Sequence, residues 1–154
     1  MLLLLDSTQA NQAMRKIEAQ TIQAIRTLAN RANFNGRLFK SGNMEVEQIH
    51  LGVAGTVHYD RIIQVRLHGS VIARLYPLTD TFTLYDAGYQ TNTTKSRLNA
   101  ILSVFNPAAG RVYSKAFDWY FGDLEWSGEA TLPVDYRFDS WQAKQAEKLA
   151  GYHG

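Results

Sequence analysis

Residues 62–76 read Ile-Ile-Gln-Val-Arg-Leu-His-Gly-Ser-Val-Ile-Ala-Arg-Leu-Tyr, and this stretch decides the fold. Apolar, often β-branched residues alternate with polar ones on both sides of His68-Gly69-Ser70, which is typical of two half-buried strands joined by a tight hairpin. The same pattern predicts strands at residues 44–51 and 53–59 before the hairpin and at residues 81–85 after it. The sequence therefore predicts an antiparallel meander.

The alternation of side chains assigns two faces to this sheet. The apolar face is predicted to pack on a helix, and its members are Ile63, Val65, Leu67, Val71, Ala73, Leu75, Phe82 and Leu84. The opposite face is basic and aromatic, with Gln64, Arg66, His68, Arg74, Tyr76, Thr83 and Tyr85. Most faces of this kind are solvated, but Arg66 and Arg74 are candidates for contact with an anion or a nucleic acid.

Two helices are predicted to flank the sheet. Residues 7–33 contain neither Gly nor Pro and place apolar side chains at three- and four-residue steps, which indicates an amphipathic helix. Its apolar stripe is narrow and rich in alanine, so the helix either packs on the sheet or pairs with a second copy of the chain. Residues 94–105 predict a short second helix, capped by Thr93 or Thr94 and ended by Asn106-Pro107.

The remaining residues predict two short strands and an irregular end. The strands are expected at residues 111–116 and 119–121, and an acidic, aromatic extension that closes with a short helix is expected after Gly122. The sequence thus predicts a single α+β domain over residues 1–154, with an N-terminal helix at 1–34, a core of sheet and helix at 43–121, and the extension at 122–154.

The composition excludes several classes of function. The 154 residues include no cysteine, which excludes disulfides and thiolate catalysis, and no apolar run is long enough to span a membrane. The spacing of the four histidines matches no metal motif. No catalytic signature is present, so the chain is predicted to be no enzyme and to carry no cofactor and no metal.

Charge is spread unevenly along the chain. Residues 61–115 hold seven Lys or Arg and two Asp or Glu, a net charge of +5, whereas residues 116–154 hold three and seven, a net charge of −4. A basic middle followed by an acidic end indicates either a surface that contacts an anion or two segments that pair with each other. The second interpretation is favoured.

The densest polar motif is Gly-Tyr-Gln-Thr-Asn-Thr-Thr-Lys-Ser-Arg-Leu-Asn at residues 88–99. Free backbone N–H groups at the start of a helix, together with hydroxyls and two cations, are the components of an anion site. The same residues also suit a simple helix cap, and both interpretations stay open. The candidate residues for anion or nucleic-acid binding in this motif are Thr91, Thr93, Thr94, Lys95 and Arg97.

This motif also carries a resemblance. The order Gly-aromatic-x-Thr-x-Thr-Thr-Lys-x-Arg-Leu-Asn, with the hairpin at residues 68–73 before it and the basic strand and Trp-Tyr-Phe at residues 111–121 after it, resembles a family of small proteins of tailed bacteriophages and prophages. The resemblance covers about residues 62–121, and Tyr89 stands where many relatives have Trp. It implies a phage or mobile-element origin, expression in the cytoplasm of a bacterial host, and a small α+β core. It implies no particular activity.

Aromatic side chains cluster near the C-terminal end of the chain. If exposed, they would form either a platform for unpaired bases or a contact for a protein partner, although packing into the core is the simplest interpretation. The local negative charge favours a protein over a nucleic acid. The candidate partner-binding residues are Trp119, Tyr120, Trp126, Tyr136 and Trp141.

The sequence is consistent with three functions. The favoured one is a small phage-encoded, non-catalytic protein-interaction module that inhibits or modulates a host enzyme or defence complex. The first alternative is a nucleic-acid-binding accessory protein that uses the Thr93-Thr94-Lys95-Ser96-Arg97 helix start. The second is a structural or assembly component of the virion that associates through the N-terminal helix.

Overall fold

The computed structural model describes residues 14–53 and 55–135. Two helices and nine strands are formed by these residues. In chain order they are α1 (Lys16–Ala29), β1 (Gly36–Ser41), β2 (Met44–Leu51), β3 (Asp60–Leu67), β4 (Ser70–Tyr76), β5 (Thr81–Tyr85), α2 (Asn92–Phe105), a short 3-10 turn (Pro107–Ala109), β6 (Val112–Lys115), β7 (Asp118–Phe121), β8 (Leu124–Glu125) and β9 (Glu129–Pro133).

The strands form two antiparallel sheets. The larger has six strands in the order β1-β2-β3-β4-β5-β9, and the smaller has three in the order β6-β7-β8. The small sheet lies in the chain between α2 and β9, the strand that returns to pair with β5. The α+β class predicted from the sequence is confirmed for the described residues.

The core lies between the apolar face of the six-stranded sheet and the two helices. Ile22, Ile25 and Leu28 of α1 are fully buried against this face, and the ring of Phe82 on β5 packs 6.4 Å from that of Phe105 on α2. The apolar stripe of α1 is therefore used inside the chain, and its pairing with a second copy stays a prediction. Neither described helix is long and apolar enough to cross a membrane.

The strand predicted at residues 53–59 is wrong. The described residues of this stretch, 53 and 55–59, form a largely exposed loop between β2 and β3, with the Val57 side chain 93% exposed. At Gly52 the backbone has φ +77°, and a Cβ there would lie 2.5 Å from the carbonyl oxygen of His58. The chain folds back on itself at this glycine, so the apolar-polar alternation that follows does not form a strand.

Val71 was assigned to the wrong face. A bulge shifts the register between β3 and β4, so that Val65 pairs with Ala73 whereas Arg66 pairs with Val71. The shift moves Val71 to the polar face and brings Ile72 into the core, where it is buried. One extra residue in a strand is sufficient to reverse the face of its neighbours.

Several element boundaries also differ from those predicted. β1, β8 and β9 are not among the predicted strands, and α1 ends at Ala29, four residues before Asn33. α2 begins at Asn92, with Thr91 as its N-cap instead of Thr93 or Thr94. The start of the helix predicted at residues 7–33 and the short helix predicted near the C-terminus lie outside the described residues.

Candidate functional site

The start of α2 is closed by its own threonines. Thr91 is the N-cap, and its hydroxyl accepts a hydrogen bond from the backbone N–H of Thr94 at 3.1 Å. The two hydroxyls lie 3.0 Å apart, and Thr94 is buried. Thr91 and Thr93 are exposed. One free backbone donor of the helix start is thus satisfied within the chain, as a cap requires.

Arg97 points into the protein rather than toward solvent. Its Nη1 donates to Oε2 of Glu18 on α1 at 2.7 Å, and the two side chains are 10% and 2% exposed. The hydroxyl of Ser96 donates to the same carboxylate, and the other oxygen of Glu18 accepts the backbone N–H of Arg15. The structure therefore uses the charge of Arg97 to hold α2 against α1.

Lys95 joins α2 to the small sheet. Its Nζ donates to the hydroxyl of Ser114 on β6 at 2.8 Å and lies 5.7 Å from the centre of the Trp119 ring. A cation at this distance from an indole is attracted to the ring face. Both cations of the predicted anion site are thus engaged in contacts within the fold.

Asp86 organises the loop that precedes α2. Its carboxylate accepts hydrogen bonds from the Gly88 backbone N–H at 2.9 Å, from Gln90 Nε2 at 3.1 Å and from Trp126 Nε1 at 2.9 Å. Burial disfavours the charge, but these donors outweigh it and hold the pKa of Asp86 below its ordinary value. Sequence reasoning missed this residue, although Asp-x-Gly is a recognisable turn signal.

The polar face of the large sheet is a connected network. Arg66 donates to Glu47 Oε2 at 2.9 Å, Gln64 donates to the same oxygen, and Arg74 donates from Nε to Gln64 Oε1 at 3.1 Å. Burial raises the pKa of Glu47, but the contacts with Gln64 and Arg66 reverse this effect and leave the pKa lowered. Arg66 is therefore ion-paired, whereas Arg74 contacts an amide and lies 5.8 Å from the centre of the Tyr85 ring.

Two tryptophans of the predicted partner site, Trp119 and Trp126, are buried in the hydrophobic core cluster. Trp119 and Trp126 pack with ring centres 6.4 Å apart, and Phe121 meets Trp126 edge-on at 6.5 Å. Tyr120 is half-buried and stacks on Tyr113 at 5.7 Å. The remaining two candidates, Tyr136 and Trp141, lie outside the described residues.

The tip of the β6–β7 hairpin is the most exposed aromatic position in the described chain. Lys115 pairs with Asp118, so that Ala116 and Phe117 form a two-residue turn. Both have positive φ, 53° and 75°, and the Phe117 side chain is 100% exposed. Positive φ at both central residues defines a type I′ turn, which strongly prefers Asn-Gly or a similar pair.

The other two-residue hairpin turns of the described residues each contain a glycine with positive φ. His68-Gly69, between β3 and β4, places glycine at the second position, where φ is +82°. Gly42 and Gly122 occupy the first positions of the β1–β2 and β7–β8 turns. Ala116-Phe117 is therefore the exception among them, and this exposed, strained turn was not singled out from the sequence.

Comparison with known protein families identifies a match. The family described as Kyanoviridae Gp96 protein matches residues 14–142, which include both helices and both sheets. No curated protein and no solved structure matches the chain. Within residues 14–53 and 55–135, no group of three or more His, Asp or Glu is placed to hold a metal ion.

Proposed function

The chain belongs to the Kyanoviridae Gp96 protein family and is thus a phage protein, and we propose that it is a non-catalytic protein-interaction module whose contact element is the β6–β7 hairpin tip. The partner class that we favour is a host enzyme or a host defence complex. The observation that carries the proposal is Phe117, a fully exposed aromatic residue in a turn that suits neither it nor Ala116.

The backbone conformation of this turn is unfavourable for both of its residues, and burial of the Phe117 side chain does not compensate for it. A non-glycine residue in the left-handed region costs roughly 1 to 2 kcal/mol relative to its preferred conformation. Phe117 offsets none of this cost by burial, because its side chain is entirely in solvent. Strain that persists without a packing gain is concentrated at functional positions in proteins, and aromatic residues are enriched among interface hot spots.

The rest of the small sheet suits a support for such a contact. Trp119 and Phe121 of this sheet pack against Trp126, which follows β8, and Lys95 contacts its first hairpin from α2. Residues 111–125 carry two basic and three acidic side chains, a net charge of −1. A rigid, nearly neutral base with one projecting aromatic ring fits a hydrophobic pocket on a protein better than a nucleic-acid backbone, which requires positive charge.

Affinity capture from phage-infected host cells tests the proposal. Tagged wild-type chain should retain a partner that Phe117→Ser loses, and the purified partner should then bind the wild type directly at least ten times more tightly than the variant in calorimetry. Val57→Ser is the matched control, because it also removes a highly exposed apolar side chain from a loop tip. It should bind the partner as the wild type does.

Two results would count against this function. Equal binding by wild type and Phe117→Ser would remove the hairpin tip from the interface. Salt-sensitive binding of DNA or RNA that is lost on Lys95→Glu would instead support the nucleic-acid alternative.

A further inference from the structure

A pocket opens on the polar face of the large sheet, where β4 begins and β5 ends. Its volume is about 290 Å³, and it is lined by Val71, Arg74, Tyr85, Asp86, Ala87 and Gly128. This is slightly below the roughly 300 to 1,000 Å³ usual for small-molecule sites. The pocket therefore suits a small group rather than a large cofactor.

Arg74 is a cation held in place without a carboxylate partner in the part of the chain that the structure describes. Its Nε is fixed by Gln64, and its guanidinium lies over the Tyr85 ring. The nearby Glu47 is engaged with Arg66 and reaches Arg74 only through the neutral amide of Gln64. A guanidinium that is held in place without a carboxylate partner favours an anionic ligand, and the planar arrangement of its N–H donors matches the two oxygens of a carboxylate.

Asp86 restricts which anion can enter. Asp86 belongs to the lining of the pocket, and Gly88, Gln90 and Trp126 hold its carboxylate in place by donating to it. Its negative charge repels a doubly charged phosphate more strongly than a singly charged carboxylate. The apolar side chains of Val71 and Ala87 and the Tyr85 ring complete the lining.

We propose that this pocket binds a carboxylate group carried on a small apolar body. The group belongs either to a free small molecule or to the C-terminus of a protein chain. The site is independent of the hairpin tip, so it stands or falls separately from the proposed function.

The first test is an NMR titration of the full chain with isobutyrate, with isobutyramide as the neutral isostere, and with inorganic phosphate. Isobutyrate should shift the amide signals of residues 85–88 and 128 in a saturable manner. Isobutyramide and phosphate should each bind at least ten times more weakly. Equal binding of the amide, or tighter binding of phosphate, would overturn the proposal.

Two arginine variants test the residue assignment. Arg74→Gln should weaken isobutyrate binding at least tenfold, since a charge-assisted hydrogen bond is lost. Arg66→Gln removes a cation of the same sheet face that is already ion-paired, and it should change binding less than threefold. Equal losses in both variants would indicate general electrostatics and contradict the site. Should Arg74→Gln fail to fold, Arg74→Lys keeps the charge and should still weaken binding by removing the fork.

Peptides distinguish the two sources of the carboxylate. An acetylated dipeptide that ends in valine is compared with its C-terminal amide. Tighter binding of the free acid than of isobutyrate would support the pocket and assign it to a protein C-terminus, whereas weaker binding would support it and assign it to a free small acid. Tighter binding of the amide than of the free acid would overturn it.

Discussion

The β3–β4 hairpin of the large sheet and the β6–β7 hairpin of the small sheet have the same turn length but different residues in the turn. Both turns have positive φ at both central positions, but His68-Gly69 places a glycine at one of them, whereas both residues of Ala116-Phe117 have a Cβ. The first turn therefore meets the preference for glycine at its second position. The second turn has a higher conformational cost and exposes an aromatic ring to solvent. The difference indicates that the first turn favours stability, whereas the second is a candidate for binding.

The two regions also differ in how their charged side chains are paired. The helices that cover the large sheet are joined by the buried pair Arg97–Glu18, and its polar face carries the pair Arg66–Glu47. Trp126, just after the small sheet, donates to Asp86, and Ser114 of this sheet accepts from Lys95, whereas the Phe117 side chain at its hairpin tip is fully exposed. Changes in the large layer should therefore affect stability most, and changes at the tip should affect binding.

The largest effect is expected from breaking the pair between the helices. Glu18→Gln leaves the Arg97 guanidinium buried without its counter-charge and should lower the free energy of unfolding by about 3 to 5 kcal/mol. Urea denaturation followed by circular dichroism measures this. The exposed pair Arg37–Glu45 is the control, and Arg37→Met should cost less than about 1 kcal/mol. Similar losses in both variants would show that α1 and α2 are not held together by Glu18.

The next effect concerns Asp86, at the junction of the two sheets. Asp86→Asn replaces an ionised acceptor of three hydrogen bonds and should cost about 2 kcal/mol at pH 7. Because the folded pKa is lowered, the stabilisation by Asp86 is present above the unfolded value of about 3.9 and is lost as the pH falls through the folded pKa.

The pH dependence separates this charge from the rest of the protein. Between pH 5 and pH 3 the wild type should lose more stability than Asp86→Asn, since the variant has already lost that contribution. Glu47, whose pKa is also lowered, should contribute equally to the slope of both proteins. Parallel stability profiles over this range would contradict the role of Asp86.

A smaller change, and one of opposite sign, is expected at the hairpin tip. The double variant Ala116→Asn/Phe117→Gly gives the turn the residues that its geometry prefers and removes no buried surface. It should raise the free energy of unfolding by about 1 kcal/mol, measured by urea denaturation. An unchanged or lowered stability would mean that the native turn is not strained.

The smallest effect is expected from the contact between α2 and the small sheet. Lys95→Met removes the hydrogen bond to Ser114 and the cation above Trp119, and it should cost about 0.5 to 1 kcal/mol. Thermal melting monitored by tryptophan fluorescence detects it. A loss as large as that of Glu18→Gln would place Lys95 in the main core network.

The periodicity of apolar residues predicts the strands that alternate regularly and end at a glycine turn. The strands on both sides of His68-Gly69, most of their core residues and the α+β class follow from it. The loop at residues 53–59 is not predicted, because the backbone reverses sharply at Gly52 although the apolar-polar alternation continues in the sequence. The face of Val71 is not predicted, because a bulge in β4 shifts the alternation. Local patterns cannot report such interruptions, since they arise from pairing with other strands.

The candidate site was less predictable for a related reason. Arg97 lies in a motif that suits an anion, but its partner Glu18 is 79 residues away in the chain. Trp119 and Trp126 are predicted contacts from the sequence, but the fold buries both of them. Asp86 is a candidate because it accepts a hydrogen bond from Trp126, which is distant in the sequence. Phe117 is a candidate because of its backbone angle, which the sequence does not specify.

The most direct test of the central claim measures binding and stability together in Ala116→Asn/Phe117→Gly. With a partner identified by capture, the account predicts a chain that is more stable than the wild type by about 1 kcal/mol and binds that partner at least ten times more weakly. A variant that is more stable and binds the partner with unchanged affinity would show that the strained aromatic turn serves no contact, and it would contradict the account.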